Sequence, residues 1–215
     1  MTALPKKLIA RPRAARGVQL MTSEEFLDWL EPGVFADLIA GEIHKRPLLT
    51  LRHANLTNFL SHLLAAFLDA ADIPGDLHRG SVAVRLNARN TFMPDLAYFT
   101  PHQVAQFAEA HVPVAPLFCV EVLSPRTAKN DRGPKFAAYE LHGVQEYWVL
   151  DPQALAHRFY RREGDLLIEF AEGAARIESA TIRGFQVRRA WLDPDKLPKV
   201  AACLREIHSA RRRRR

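Results

Sequence analysis

The stretch Leu117-Phe118-Cys119-Val120-Glu121-Val122-Leu123 places one carboxylate in the middle of an otherwise apolar run. Such a run is typical of a buried β-strand, and an unpaired charge inside it would destabilise the strand. The upstream stretch Met93-Pro94-Asp95-Leu96-Ala97-Tyr98-Phe99 repeats the pattern, with an acid at the start of an apolar strand. The two stretches therefore predict two strands of one sheet, each carrying an acid that needs a compensating charge.

The two acids are predicted to share a divalent cation. Their separation of 26 residues allows Asp95 and Glu121 to lie on adjacent strands, where they would repel each other unless a cation bridged them. Mg²⁺ or Mn²⁺ takes carboxylate, carbonyl and water oxygens, so the carbonyl of Val122 is a further candidate ligand. A bound ion activates water and neutralises charge on a phosphate, which favours phosphodiester hydrolysis. The structural alternative pairs Glu121 with an arginine such as Arg85 and leaves Asp95 to cap a turn after Pro94.

The surrounding pattern predicts a mixed α/β (α+β) fold. Leucines and phenylalanines at helical spacing predict a long helix over residues 53–70. A short helix is bracketed by Pro134 and Gly143, and the strand at 146–150 after it is expected to run parallel to 117–123. Further strands are predicted within 37–51, at 82–86, at 156–160 and 166–170 as a hairpin, and at 181–189, with helices at 22–30, 102–110 and 198–210.

Basic residues follow the strand of Glu121. Lys135 falls in the first turn of the short helix, and helical side chains lean toward the helix N-terminus. Its ammonium is a candidate for orienting the attacking water or stabilising charge on the phosphate. Asp131 either caps the helix or adds a weaker polar contact. The loop residues Arg126, Lys129 and Arg132 are candidates for holding a nucleic-acid backbone, and a solvated basic loop is the alternative.

Two earlier residues are candidate accessory groups. Glu42 offers an outer carboxylate on an early strand, although exposure at the surface is the commoner fate of such a glutamate. His53 opens the long helix, where a capping or packing role is favoured over a role near the site. The other histidines show no helical pairing with cysteine or acid, which argues against a zinc site.

The positive charge is concentrated at the two ends. Of the formal charge of +6, residues 1–16 carry +5 and residues 205–215 carry +5, which leaves −4 for residues 17–204. We therefore expect a basic N-terminal extension (1–20), a folded domain (21–195) and a C-terminal helix with an arginine tail (196–215). Such tails assist attraction to nucleic acid or anionic surfaces, or are simply solvated.

The composition argues against membrane insertion and export. No apolar run approaches the roughly 18 residues that span a bilayer, and residues 1–20 lack the apolar core of a secretory signal. Two prolines and a single hydroxyl residue in residues 1–20 argue against an organellar presequence. Cys119 and Cys203 have no metal-binding spacing and indicate structural thiols in a reducing compartment. We therefore expect a cytoplasmic location.

These residues resemble a known family. The run Glu121-Val122-Leu123-Ser124-Pro125-Arg126-Thr127 and the run from Gly143 to Pro152 are similar, in order and spacing, to the Uma2 family (DUF820) of restriction endonuclease-like proteins. The resemblance extends over residues 22–190. Other positions that fit the family pattern are Gly41, Glu42, His53, Pro94, Asp95, Asp131, Lys135 and Tyr139.

The resemblance implies a PD-(D/E)xK nuclease domain with a restriction endonuclease-like core, that is, a mixed central β-sheet flanked by helices. It also implies a Mg²⁺ or Mn²⁺ ion held by Asp95 and Glu121. The usual lysine two residues after the glutamate is replaced by Leu123, and the Uma2 pattern places its lysine at Lys135. We therefore expect a metal-dependent endonuclease acting on DNA. The competing classes are a nucleic-acid-binding protein without turnover and a scaffold that forms a homo-oligomer through its sheet edge.

Overall fold

The computed structural model describes residues 20–212, and side chains as far as residue 210. The predicted basic extension and the end of the arginine tail thus lie outside the described residues. The helices are α1 (Ser23–Trp29), α2 (Leu51–Ala71), α3 (Pro101–Val104), α4 (Ala128–Arg132), α5 (Pro134–Leu141) and α6 (Val200–Arg212). The strands are β1 (Ala36–Ile39), β2 (Glu42–Lys45), β3 (Asp76–His78), β4 (Val84–Asn87), β5 (Asn90–Phe92), β6 (Leu96–Phe99), β7 (Phe118–Val122), β8 (Glu146–Leu150), β9 (Arg158–Glu163), β10 (Leu166–Phe170), β11 (Arg176–Glu178) and β12 (Gln186–Arg188).

A six-stranded sheet forms the centre of the molecule. Its strand order is β10-β9-β8-β7-β6-β3, with β7 parallel to β8 and every other neighbouring pair antiparallel. The central strands β7 and β8 are buried along their whole length, as their apolar sequences predict. The expected mixed sheet is therefore confirmed, and so is the expected parallel pair.

Helices cover both faces of this sheet. The long helix α2 packs with α6 against one face, through a core that includes Phe67, Phe118 and Trp148. On the opposite face, α5 buries Tyr139 against Cys119 and Tyr147 of the sheet. This arrangement buries alternate side chains of β7 on opposite faces, so Glu121 points to the same face as Cys119.

A second, four-stranded sheet lies beside the first, in the order β2-β1-β5-β4. A hydrogen bond joins the two sheets where the chain passes from β5 to β6. There the N–H of Met93 donates to Oδ1 of Asp37 on β1, at 2.7 Å. The contact places the middle of β1 close to the start of β6, and therefore close to Asp95.

Some elements differ from the sequence prediction. No strand was predicted where β5 forms, and the predicted helix over 102–110 ends at Val104 because Phe107 turns back to pack on Phe99 and His78. The predicted strand at 181–189 is reduced to β12, which pairs with β11 in a separate two-stranded sheet. Within residues 20–212, no helix is long and apolar enough to cross a membrane.

Candidate functional site

The pairing of β6 with β7 brings the two acids of the central strands together. Leu96 lies opposite Val120, so extending this antiparallel register by one residue places Asp95 opposite Glu121 on the same face of the sheet. The N–H of Val122 donates to Oδ2 of Asp95 at 2.8 Å, which fixes the Asp95 carboxylate against β7. Both carboxylates are buried. The predicted neighbouring position of the two acids is therefore found.

An arginine guanidinium lies between the two acids. Nη2 of Arg46 is 2.6 Å from Oδ1 of Asp95 and 4.0 Å from Oε2 of Glu121. Its Nη1 donates to the carbonyl of Met93 at 2.6 Å, which holds the guanidinium in place. Oxygens of both acids thus face one cationic position. The structural alternative named Arg85 as an example of an arginine partner for Glu121; Arg85 instead pairs with Glu24 at the surface, and Arg46 is the arginine that approaches Glu121.

Lys135 lies inside a ring of three carboxylates. Its Nζ is 2.5 Å from Glu121 Oε1, 3.3 Å from Asp131 Oδ1 and 3.4 Å from Asp37 Oδ2, and its side chain is 1% exposed. Pro134 starts α5 and places Lys135 in its first turn, where the side chain can point at β7. Asp131 contacts Lys135 and does not cap α5, whose N-cap residue is Gly133.

His53 and Tyr139 complete the inner part of the site. Nε2 of His53 lies 3.3 Å from Oδ2 of Asp95, at the buried start of α2, so His53 reaches the acid pair in addition to packing there. The hydroxyl of Tyr139 donates to Oε1 of Glu121 at 2.9 Å. We refer to Asp37, Arg46, His53, Asp95, Glu121, Asp131, Lys135 and Tyr139 as the acid cluster.

The other sequence candidates lie away from the acid cluster. Glu42 is exposed on β2, and its carboxylate is 4.0 Å from His44. Arg126 and Lys129 are exposed beside and on α4. Arg132 is also exposed and pairs with Asp151 at 2.9 Å. The structure therefore separates these four residues from the buried carboxylates.

Acids outnumber cations in the acid cluster. Four carboxylates face two permanently charged side chains, Arg46 and Lys135, so two negative charges would remain if all four acids were ionised. Burial raises the pKa of Glu121 to about 8, against the opposing charge of Lys135. Burial also disfavours the charged form of Asp95, but Arg46 and the hydrogen bond from His53 outweigh it and hold the pKa of Asp95 well below its usual range. A further cation beside Glu121 would oppose the effect of burial on the pKa of this acid.

The oxygen atoms of the acid pair are the type of ligand that a hard divalent cation binds. Carboxylate oxygens of Asp95 and Glu121 are the ligands that Mg²⁺ and Mn²⁺ prefer. No group of three or more histidines, cysteines or acids in the described part of the chain has an arrangement that could hold a metal ion. An ion at the acid pair would therefore need the Val122 carbonyl and water for its remaining ligands.

The sequence prediction missed two members of the acid cluster. Asp37 stands in the apolar run Phe35-Ala36-Asp37-Leu38-Ile39, which is the same signal that singled out Glu121. Arg46 had no such signal, because a single arginine after a strand is ordinary at a protein surface. Only the return of the chain from β2 past Met93 brings Arg46 to the acids.

Both the sequence and the fold of this chain are similar to those of known proteins. The profile of the Uma2 family, described as "putative restriction endonuclease", matches residues 23–193. A crystal structure from Anabaena variabilis, described as a putative nuclease belonging to DUF820, has a TM-score of 0.67 and 18% sequence identity over 80% of this chain and 97% of that chain. At this identity the likeness shows a shared fold. Comparison with curated proteins gave no match. On the strength of the family profile, which spans the acid cluster, the chain belongs to the Uma2 family.

Proposed function

We propose that the protein is a metal-dependent endonuclease that hydrolyses phosphodiester bonds of DNA. The observation that carries the proposal is the pair of buried acids, Asp95 and Glu121, whose oxygens face one cationic position in a cluster with excess negative charge. Membership of a family described as restriction endonuclease-like supports the same reaction class. When bound there, Mg²⁺ or Mn²⁺ would supply Lewis-acid stabilisation of charge on the phosphate and acidify a water molecule.

The chain's own residues have separate roles in this proposal. Asp95 and Glu121 would hold the ion, and the N–H of Val122 and the ring of His53 fix the orientation of Asp95. Lys135 favours the ionised form of Glu121 through its 2.5 Å contact, against the burial that raises the pKa of Glu121, and its ammonium would orient the attacking water or stabilise charge on the phosphate.

The basic residues outside the acid cluster would contact the nucleic-acid backbone. Arg126 and Lys129 are exposed, and neither has an acid partner within ion-pair distance among the residues described. Arg132 is exposed but already pairs with Asp151. Phosphate contacts of this type give affinity without sequence specificity and weaken as salt increases.

Plasmid cleavage tests the proposal directly. Supercoiled DNA would be incubated with the purified protein in Mg²⁺, in Mn²⁺ and in EDTA, beside the variants Asp95→Asn and Glu121→Gln. Glu172→Gln, which removes an exposed acid, is the matched control. We expect nicking only with a divalent ion, a loss of at least about 100-fold in the two cluster variants, and no change in the control. Metal-independent nicking, or cleavage that survives both cluster variants, would refute the proposal.

A DNA-binding protein without turnover is the second candidate. Two observations favour it: Leu123 occupies the position of the superfamily's usual lysine, and Arg46 already neutralises Asp95. In that case the parent protein would bind DNA in a gel-shift assay and leave it intact in both metals. Asp95→Asn would then bind DNA as well as the parent does.

A further inference from the structure

A cleft of about 740 Å³ opens from the surface to Asp95, one of the two acids of the pair. Its most buried lining residues are Asp95, His53 and Arg46, all members of the acid cluster. The volume is within the range of about 300–1,000 Å³ that is usual for sites of small organic ligands. A group as large as one nucleotide can therefore reach the proposed site of hydrolysis.

One wall of the cleft is an exposed apolar segment, residues 47–51, which we call the leucine loop. Pro47, Leu48 and Leu49 line the cleft, and the side chains of Leu48 and Leu49 are 99% and 52% exposed. Leu51, at the start of α2, is exposed beside them. Several adjacent exposed leucines next to a functional cleft indicate a surface that a partner covers.

The rim of the same cleft is basic. Arg79 and Lys45 line it, and both side chains are exposed. Neither has an acid within ion-pair distance in the part of the chain that the structure describes; Lys45 lies over the ring of Trp29 instead, 5.8 Å from its centroid. The cleft thus combines two cations that have no acid partner among the described residues, an apolar wall and an inner end at Asp95.

We propose that this cleft binds one unpaired nucleotide of a DNA strand, with its base against the leucine loop and its phosphates near Arg79 and Lys45. The proposal rests on the proposed function, which puts the neighbouring phosphate at Asp95. The backbone of an undistorted duplex presents sugars and charged phosphates, which cover exposed leucines poorly. The face of an unstacked base is apolar and can do so. The preferred substrate is therefore single-stranded or locally unpaired DNA.

A second copy of this chain is a less suitable occupant. In a symmetric dimer the same patch would meet itself, so the two pairs of rim cations would approach each other. Self-association through the leucine loop would bring like charges together, whereas a polyanion compensates them.

Binding measurements with matched variants test this proposal. Fluorescence anisotropy would follow a short single-stranded oligothymidine and a duplex of equal length, with Ca²⁺ in place of Mg²⁺ and the integrity of the DNA checked on a gel. The test variant is Leu48→Ser with Leu49→Ser. The matched control is Leu166→Ser with Ile168→Ser, which removes two exposed apolar side chains of β10, the edge strand of the six-stranded sheet.

We expect the parent to bind the single strand more tightly than the duplex, and the leucine-loop variant to lose about tenfold in affinity for the single strand only. The control should bind like the parent. Arg79→Ser should weaken binding and lower the salt dependence by about one ion. Equal or tighter binding of the duplex, or an unchanged leucine-loop variant, would overturn the proposal. So would a parent dimer in light scattering that the variant dissociates.

The outcome is separable from that of the proposed function. Cleavage of plasmid with normal binding by the leucine-loop variant would remove the cleft proposal and leave hydrolysis standing. If binding of the single strand depends on the leucine loop but no DNA is cleaved, the proposal of hydrolysis is removed and the proposed binding of a single strand in the cleft stands.

Discussion

Arg46 determines how the acid pair is neutralised. Its guanidinium contacts Asp95 and approaches Glu121, so it occupies the position at which a bound ion would have to meet both carboxylates. For a divalent ion to bind both acids, Arg46 would have to move away from them, toward the cleft that it lines. The arginine therefore stabilises the metal-free protein and opposes metal binding.

Replacement of Arg46 by methionine should tighten Mn²⁺ binding by about tenfold, equivalent to about 1.4 kcal/mol, because the competing cation is removed. The same change should lower the melting temperature of the metal-free protein, since Asp95 loses its closest countercharge. Isothermal titration calorimetry and thermal melting in EDTA measure the two effects. Arg79→Met, which removes a cation from the same cleft without an acid contact, is the control. Unchanged or weaker Mn²⁺ binding in the Arg46 variant would contradict this account.

Lys135 is the second countercharge, and its removal should affect stability most. Lys135→Met leaves three buried carboxylates around an apolar side chain. Removing one partner of a buried ion pair typically costs about 3–5 kcal/mol, and Glu121 offsets part of this by taking a proton. We therefore expect a loss of about 3 kcal/mol in urea unfolding at neutral pH. Lys129→Met, an exposed change six residues earlier, should alter stability by less than about 0.5 kcal/mol.

The strand β8 is joined to the loop between β11 and β12 by hydrogen bonds to the carboxylate of Glu146. Its Oε1 accepts a hydrogen bond from Trp148 Nε1 at 2.7 Å, and its Oε2 accepts one from the Thr181 N–H at 2.9 Å. The hydroxyls of Ser179 and Thr181 also donate to Oε2, each at 2.7 Å. This buried carboxylate is thus a structural acid, although it lies on the strand next to Glu121.

Glu146→Gln should be destabilising although the two side chains have the same shape. The glutamine amide would place its NH₂ group either opposite the N–H of Trp148 or opposite the N–H of Thr181. Because both of these groups are donors, one buried donor is left unpaired in either orientation. The expected cost is about 2 kcal/mol in chemical denaturation. Glu163→Gln, at the exposed end of β9, serves as the comparison and should be close to neutral. A Glu146 variant as stable as the parent would show that these donors do not depend on the carboxylate.

The sequence predicted some elements of the fold better than others. The strands β7 and β8 and the helix α2 were predicted because long apolar runs and helical spacing leave few alternatives. The three-residue strand β5 and the short α3 depend on their tertiary neighbours, as the packing of Phe107 on Phe99 illustrates. The same division holds in the acid cluster: buried acids in apolar strands were visible in the sequence, whereas Arg46 depends on how the sheets meet.

At the scale of the whole molecule, one buried histidine should make stability depend on pH. His157 lies just before β9, and its Nδ1 has no hydrogen-bond partner among the residues that the structure describes. Arg189 donates to the carbonyl of His157 at 3.0 Å, and to the carbonyls of Ala171 and Ala174, so the ring is enclosed where β9 meets the chain around β12. Burial, followed by the charge of Arg189, lowers the pKa of His157 to about 4, while Asp151 and Asp193 oppose the shift.

This lowered pKa predicts a specific loss of stability in mild acid. The unfolded chain binds a proton at His157 below about pH 6.5, whereas the folded protein resists it until about pH 4. The stabilisation is therefore complete above pH 6.5 and declines as the pH falls toward 4. His157→Leu keeps the apolar volume and removes the titration, so the difference in unfolding free energy between parent and variant should change by about 2 kcal/mol over this interval. Urea unfolding at closely spaced pH values measures it, because the titration of the acid cluster is common to both proteins and cancels. Parallel curves for the two proteins would show that protonation of His157 does not oppose folding.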